Sequence, residues 1–446
     1  MKIEKLVLAA LLPIAAASAT TVSAPSHGFW GQWRGPSGTG VAPLAKPPVE
    51  WSETKNVRFK VEIPGRGSSS PIVWGDQVIL TTAVALPEGK LVPAEGLPAK
   101  IGSHPDVSAP KTAQQFVVMA VSRHDGKTVW SRVVKEDLPH EGTHKDGSFA
   151  SGSAATDGER IYAFFGSRGL YCLDMKGQPV WQKDFGKMVV KMSFGEGSSP
   201  ALYGNRVVVN WDHEGDSFIL ALDAKTGKEL WRTPRTEKTT WATPVVIAHK
   251  GKPQVVTSAS ETTRAYDLET GKQIWQGPGL TPNAIPTPVH QAGMLYATSG
   301  FRGNALFAIR LDAAQGDLAG TPAIAWSYDK DTPYVPSPLL YDGGLYFLKS
   351  NSAILTRLDA ATGEKSFSER LPGANNVYAS PVAADGRVYV FDRDGAAVVI
   401  EKGAAFKVLA TNQLEDGFDA SPALAGADIF VRGKKHLYRI AEPAAR

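Results

Sequence analysis

Ser380-Pro381-Val382-Ala383-Ala384-Asp385-Gly386-Arg387-Val388-Tyr389-Val390-Phe391 is a unit that the chain repeats. Two apolar runs flank Asp-Gly, the dipeptide best suited to the tight turn of a β-hairpin, and the pair reads as two antiparallel strands. The leading Ser-Pro recurs at Ser70-Pro71, Ser199-Pro200, Thr243-Pro244, Thr287-Pro288, Ser337-Pro338 and Ser421-Pro422, with a degenerate copy at Ser153-Ala154. From Ser153 onward successive copies lie 46, 44, 44, 50, 43 and 41 residues apart, and the first gap of 83 must hold an insertion. A period of about 44 residues made of short strands is the length of one four-stranded propeller blade.

Beyond the hairpin each copy continues alike. A third strand ends near Asp, a turn follows, and a fourth strand carries an aromatic residue. Leu220-Ala221-Leu222-Asp223, Lys225-Thr226-Gly227-Lys228 and Glu229-Leu230-Trp231 are the clearest instance. Trp130, Trp181, Trp275, Trp326 and Phe367 hold the Trp231 place in other copies. A large ring there can pack between blades, which bury their faces only against each other. The last copy stops after strands at 421–425, 429–432 and 436–440, while 56–63 is a strand without a blade. Phe59 precedes Pro71 by 12 residues, as Trp326 precedes Pro338 by 12. The expected fold is therefore all-β: an eight-bladed β-propeller of four-stranded blades, its ring closed by the N-terminal strand completing the last blade. Closure removes the edges that invite aggregation.

Lys2 and Lys5 precede an apolar run from Leu6 to Ala17, and Ala17-Ser18-Ala19 offers a cleavage point before Thr20. This predicts a signal peptide over 1–19, an N-terminal extension over 20–55, and a propeller over 56–446 with an insertion in blade one at about 86–113. The alternative for the first segment is an uncleaved anchor. An exported protein, periplasmic or secreted, is expected, with no other apolar run long enough to span a bilayer. The single cysteine, Cys172, lies in an alternating stretch and reads as a buried strand residue. It excludes an intramolecular disulfide, and no cysteine stands at the cleavage point to carry a lipid. The net charge of +4, with no charged run, argues against nucleic acid as a partner. A monomer is expected.

The Leu-Asp-x-x-Thr-Gly-Lys-x-x-Trp script of Leu222 to Trp231, echoed at Asp267 to Trp275 and Leu358 to Phe367, resembles the propeller repeat of the pyrroloquinoline-quinone (PQQ) dehydrogenases. It is also similar to the propeller of the outer-membrane β-barrel assembly machinery. Gln32-Trp33-Arg34-Gly35-Pro36, Asp331-Thr332-Pro333-Tyr334-Val335-Pro336-Ser337-Pro338 and Gly417-Phe418-Asp419-Ala420-Ser421-Pro422 resemble the PQQ-binding-like β-propeller repeat proteins. The likeness covers nearly all of the mature chain. It implies the fold strongly and a function weakly, because one propeller scaffold hosts many functions. The dehydrogenases often carry a vicinal disulfide that one cysteine cannot make, and their calcium-binding Glu, Asn and Asp do not map onto this chain. The assembly-machine propeller is typically lipid-anchored.

In such a fold the residues before each Ser-Pro pair, and the loops between second and third strands, share one face. The first set supplies Arg66, Glu196, Trp241, Asn283, Tyr334, Asn376, Tyr378 and Asp419; the second supplies His213, Arg302, Asn304 and Arg393. The set describes a funnel for a small polar ligand or a protein partner. Trp241 could serve as a flat stacking floor or as a channel plug. Asp212-His213-Glu214 with Glu196 and Asp419 contains possible calcium ligands, but consecutive residues seldom converge on one ion. PQQ and calcium are not the favoured reading, and no metal ligand set or catalytic residue is assigned. A non-catalytic envelope propeller is the first expectation. A PQQ-dependent oxidoreductase and a scaffold in outer-membrane protein assembly are the alternatives.

Overall fold

Period-two alternation puts every second residue of a strand on one face, so a blade exposes two apolar faces that only neighbouring blades can cover. In the computed structural model, which describes residues 28–87 and 104–443, eight blades solve this by closing into a ring. The expected signal peptide at 1–19 and much of the blade-one insertion lie outside the described residues. Blade three shows the pattern: Ala201–Tyr203 innermost, then Arg206–Trp211, Ser217–Asp223 and Glu229–Arg235 outermost, each antiparallel to the last. Blade four adds a short parallel strand, Gly316–Asp317, on its outer edge. Val57–Glu62 pairs with His436–Ile440 and completes blade eight, as the spacing of Phe59 predicts.

The recurrent Ser/Thr-Pro has a physical cause. The backbone N–H of Ser70 donates to Ser153 Oγ (2.9 Å), Ser153 to Ser199 (2.9 Å), and Ser199 to Thr243 (3.0 Å). Thr243 donates to Thr287 (3.2 Å), Thr287 to Ser337 (3.0 Å), and Ser337 to Ser380 (2.9 Å). Ser380 donates to Ser421 (2.9 Å), and Ser421 returns to Ser70 (3.0 Å). Eight hydroxyls thus satisfy eight buried N–H groups in a closed circuit around the axis. The degenerate copy keeps its place because Ser153 retains the hydroxyl. Proline, following in seven copies, brings no N–H that would need a partner there. Ser380→Ala strands the Ser337 N–H and is expected to destabilise by about 1–3 kcal/mol. Urea denaturation checks this; an unchanged midpoint would show that the circuit carries no stability.

The outer edge uses a second device. Trp130, Trp181, Trp231 and Trp326 each donate Nε1–H to a turn carbonyl of the following blade, at 2.8–3.2 Å. Each indole also lies against the glycine of that turn: Gly177, Gly227, Gly271 and Gly363 respectively. Asp223 Oδ1 accepts from the N–H and the hydroxyl of Thr226, both at 2.8 Å, which shapes the turn that presents Gly227. Blade seven carries no ring in this place. Trp51 of the N-terminal extension packs into the neighbouring core instead, stacked on Phe391 at 5.7 Å. Cys172 is fully buried, as expected, opposite Trp181, and burial pushes its thiol up to about 12.

Candidate functional site

Inward of the strands, the circuit of hydroxyls narrows the axis, and what stands above and below decides whether the channel is open. Below it, the N-terminal extension closes the hole. Arg34 is 1% exposed and donates to Pro381 O (2.6 Å), Pro338 O (2.7 Å) and Thr39 O (3.2 Å). Its guanidinium thus binds carbonyls that follow the Ser-Pro serines of blades six and seven, and burial pulls its pKa down to about 9. Trp33 beside it touches both the cavity above and a crevice of about 360 Å³ on the opposite face. The plug is therefore Trp33 and Arg34, and Trp241 is left free for the wall.

Above the ring lies a cavity of about 410 Å³, open to the loop face. Its floor includes the serines and threonines at 70, 153, 199, 243, 380 and 421. Trp33, Phe194, Trp241, Phe301, Tyr334 and Tyr378 supply its aromatic surface. Trp241 is fixed by Nε1–H donation to Gly195 O at 2.6 Å. Gly197 lets the backbone pass close, since a Cβ there would stand 3.1 Å from Trp241 Cδ1. Tyr334 stacks on Phe301 at 4.7 Å.

Three carboxylates line the cavity, and each is engaged. Glu196 accepts from the Ser167 N–H (2.8 Å), the Ser167 hydroxyl (2.5 Å) and Arg168 (3.2 Å). Arg393 bridges Asp419 (2.6 Å) and Asp146 (2.8 Å) and lies over the Tyr378 ring at 4.0 Å. Burial acts to raise the Asp146 carboxyl, but the Arg393 hydrogen bond and charge outweigh it and the pKa is lowered. Burial, with Asp146 adding, pushes the Tyr378 hydroxyl up to about 12, so it stays protonated at neutral pH. Among the described lining residues there is no lysine or arginine.

Of the twelve residues expected at a funnel, five line this cavity: Glu196, Trp241, Tyr334, Tyr378 and Asp419. Arg393 stands behind two of them as their clamp. The other six lie outside the lining. Arg66 sits at the rim and donates to Lys145 O. Asn283 is buried and accepts from Lys191 at 3.0 Å. Asn304 accepts from the N–H and hydroxyl of Thr332, at 2.9 and 3.1 Å, and fixes a loop. Arg302 projects over Phe301, and Asn376 uses its backbone carbonyl to hold the Arg393 N–H at 2.9 Å. His213 is buried, with Nδ1 accepting from Val189 (3.1 Å) and Gly215 (3.2 Å).

Asp212, His213 and Glu214 do not converge. Asp212 is bidentate to buried Arg235, His213 holds its own loop, and Glu214 binds Thr239. Missed by sequence reasoning were Trp33, Phe194 and Phe301, and the pair His104 and His144, all in the lining. Gln32-Trp33-Arg34-Gly35-Pro36 did stand out as a motif. The two histidines sit in stretches that carry no repeat signal.

The family model described as "Outer membrane protein assembly factor BamB" matches residues 114–369. No curated protein matches the chain by sequence. Among solved structures, BamB from Moraxella catarrhalis superposes with a TM-score of 0.55 at 12% identity, covering 86% of this chain and 99% of that one. The quinohemoprotein alcohol dehydrogenase from Comamonas testosteroni gives 0.64 at 11% identity, covering 94% and 81%. The computationally designed Ika8 protein gives 0.51 at 12% identity, covering 75% and 95%. At such identities the structural likeness speaks for the fold. With more than half of the sequence matched by one family model, the chain belongs to the PQQ-like propeller family described by the name of that assembly factor.

Proposed function

We propose that this protein is an exported, non-catalytic propeller of the cell envelope whose axial cavity binds a small neutral polar ligand with a flat face, a sugar ring being the chemistry that fits. The observation that carries this is the lining: aromatic walls over a floor of hydroxyls, with every carboxylate already paired to an arginine or held by hydrogen bonds. Aromatic surface binds a flat apolar face, and a few fixed polar groups orient it.

The same lining does not fit PQQ with calcium. A tricarboxylate would face Asp146, Glu196 and Asp419 without an unpaired cation, and burying unpaired charge is strongly unfavourable. A calcium ion would have to displace Arg168 from Glu196 or Arg393 from Asp419. Trp241 offers a platform, but the charges around it are wrong for that quinone.

A second reading, a protein segment seated across the mouth, is favoured by the family description and by Val189 and Met192. These are 54% and 41% exposed on the loop that leads to Phe194. Ligand-observed NMR with neutral mono- and disaccharides separates the two. The cavity reading expects at least one sugar to bind the wild type and Trp241→Ala to weaken it at least tenfold. Binding to neither protein would turn the account toward the protein segment.

A further inference from the structure

Two His-x-Asp tripeptides, His104-Pro105-Asp106 and His144-Lys145-Asp146, meet at the mouth of the cavity. The first belongs to the blade-one insertion and the second to the segment entering blade two. Antiparallel pairing of Val107–Ser108 with Thr143–His144 holds them together. In each tripeptide the Asp N–H donates to the His Nδ1 at 3.2 Å, so both imidazoles are set by the same local turn. Phe194 meets both rings edge-on, with centroids 5.0 and 5.5 Å away, and restricts their rotation. One donor atom each from His104, Asp106 and His144 lies within 4.8 Å of the others. His144 Nε2 stands 3.7 Å from Asp106 Oδ2, while Lys145 occupies only Oδ1 of that carboxylate, at 2.8 Å. Neither Nε2 makes a hydrogen bond among the described residues.

We propose that His104, Asp106 and His144 form a binding site for a divalent transition-metal ion, zinc being the ion of choice, at the mouth of the axial cavity. Imidazole nitrogen with one carboxylate oxygen is a donor set that suits such ions, and three protein ligands leave a coordination position for a bound molecule. That open position faces the cavity, because both histidines line it. Bonds of about 2.0–2.1 Å set tetrahedral donors about 3.3 Å apart, so the donors must draw together by up to about 1.5 Å. Binding through Nε2 shifts each ring proton to Nδ1, so metal uptake costs the Asp106 and Asp146 N–H contacts to Nδ1. Asp146 Oδ2 stands 3.6 Å from His144 Nδ1, and a small turn of the ring brings that proton onto it, the arrangement by which outer carboxylates orient metal-bound histidines. The site is independent of the sugar reading: it can hold an ion whether or not the cavity holds a ligand.

The test uses the untagged mature protein, stripped with a chelator and titrated with Zn²⁺ by calorimetry and with Co²⁺ by visible absorption. One equivalent of each should bind, with a cobalt band from bound nitrogen and oxygen ligands. His104→Ala and His144→Ala should each weaken zinc at least tenfold and abolish the band. His124→Ala, which removes an exposed imidazole paired with Asp76, should change neither. Melting curves of the metal-free variants matching wild type would show that lost binding is not lost folding. No stoichiometric uptake by wild type, or equal affinity in the His104 and His144 variants, overturns the proposal.

Discussion

Asp212→Ala is expected to destabilise the propeller by about 3–5 kcal/mol, the range for breaking a buried ion pair from one side. Arg235 and Asp212 both have side chains 0% exposed. Arg235 Nε and Nη2 donate to the two carboxylate oxygens at 2.7 and 2.9 Å, and Nη1 donates to Thr257 (2.9 Å) and Tyr266 (2.6 Å). Burial works to lower the Arg235 pKa, but Asp212 more than offsets it and the guanidinium is held above its ordinary value. Removing the carboxylate leaves that charge buried without its counter-ion, and also strands Thr240 and Asn210, which donate to Asp212 at 2.8 and 3.1 Å. The pair lies within blade three, and Arg235 carries it across to Thr257 and Tyr266 of blade four, so urea denaturation should show the whole loss in one transition. Asp212→Ala with Arg235→Leu should recover part of it, because the orphaned charge is then gone. A loss below about 1 kcal/mol in the single variant would contradict a structural role and reopen Asp212 as a ligand.

Gly227→Ala is the second large effect, expected at about 2–4 kcal/mol from backbone strain and overpacking together. Gly227 has φ +68°, and a Cβ there would lie 2.7 Å from Trp181 Cδ2. The indole cannot simply withdraw, since its Nε1–H is held by Ala224 O at 3.0 Å. Gly204 provides the control: φ is +54°, but nothing lies within 4 Å of the built Cβ. Gly204→Ala should therefore show only the backbone part, about 1–2 kcal/mol less than Gly227→Ala. Equal losses in the two variants, measured by denaturant unfolding, would mean that the Trp–Gly contact between blades contributes nothing.

These two sites mark what was legible in the sequence. The Thr-Gly and Trp of the repeat could be read because several blades solve the same local problem in the same way, so the answer recurs at a fixed period. Phe59 announced the closing strand for the same reason. Asp212 belongs to one blade only, and beside His213 and Glu214 it resembled a ligand; its partner Arg235 lies across a strand pairing that spacing does not reveal. The plug was harder still. Arg34 reaches Pro338 and Pro381, 304 and 347 residues away, and its motif has no second copy against which to read it. The cavity was legible by face but not by lining: Glu196, Trp241, Tyr334, Tyr378 and Asp419 point inward, whereas Asn304 and His213 turn back to satisfy their own loops. His104 and His144 come together through a two-residue strand pair, too short to leave a pattern.

The central claim is that the cavity takes a neutral ligand and not the quinone that its fold relatives suggest. Parallel calorimetric titration of the mature protein with a neutral saccharide panel and with PQQ plus Ca²⁺, repeated on Trp241→Ala, tests it most directly. The account predicts saturable heat from a neutral sugar, lost in the variant, and none from the quinone. Tight quinone binding that the variant loses would contradict it.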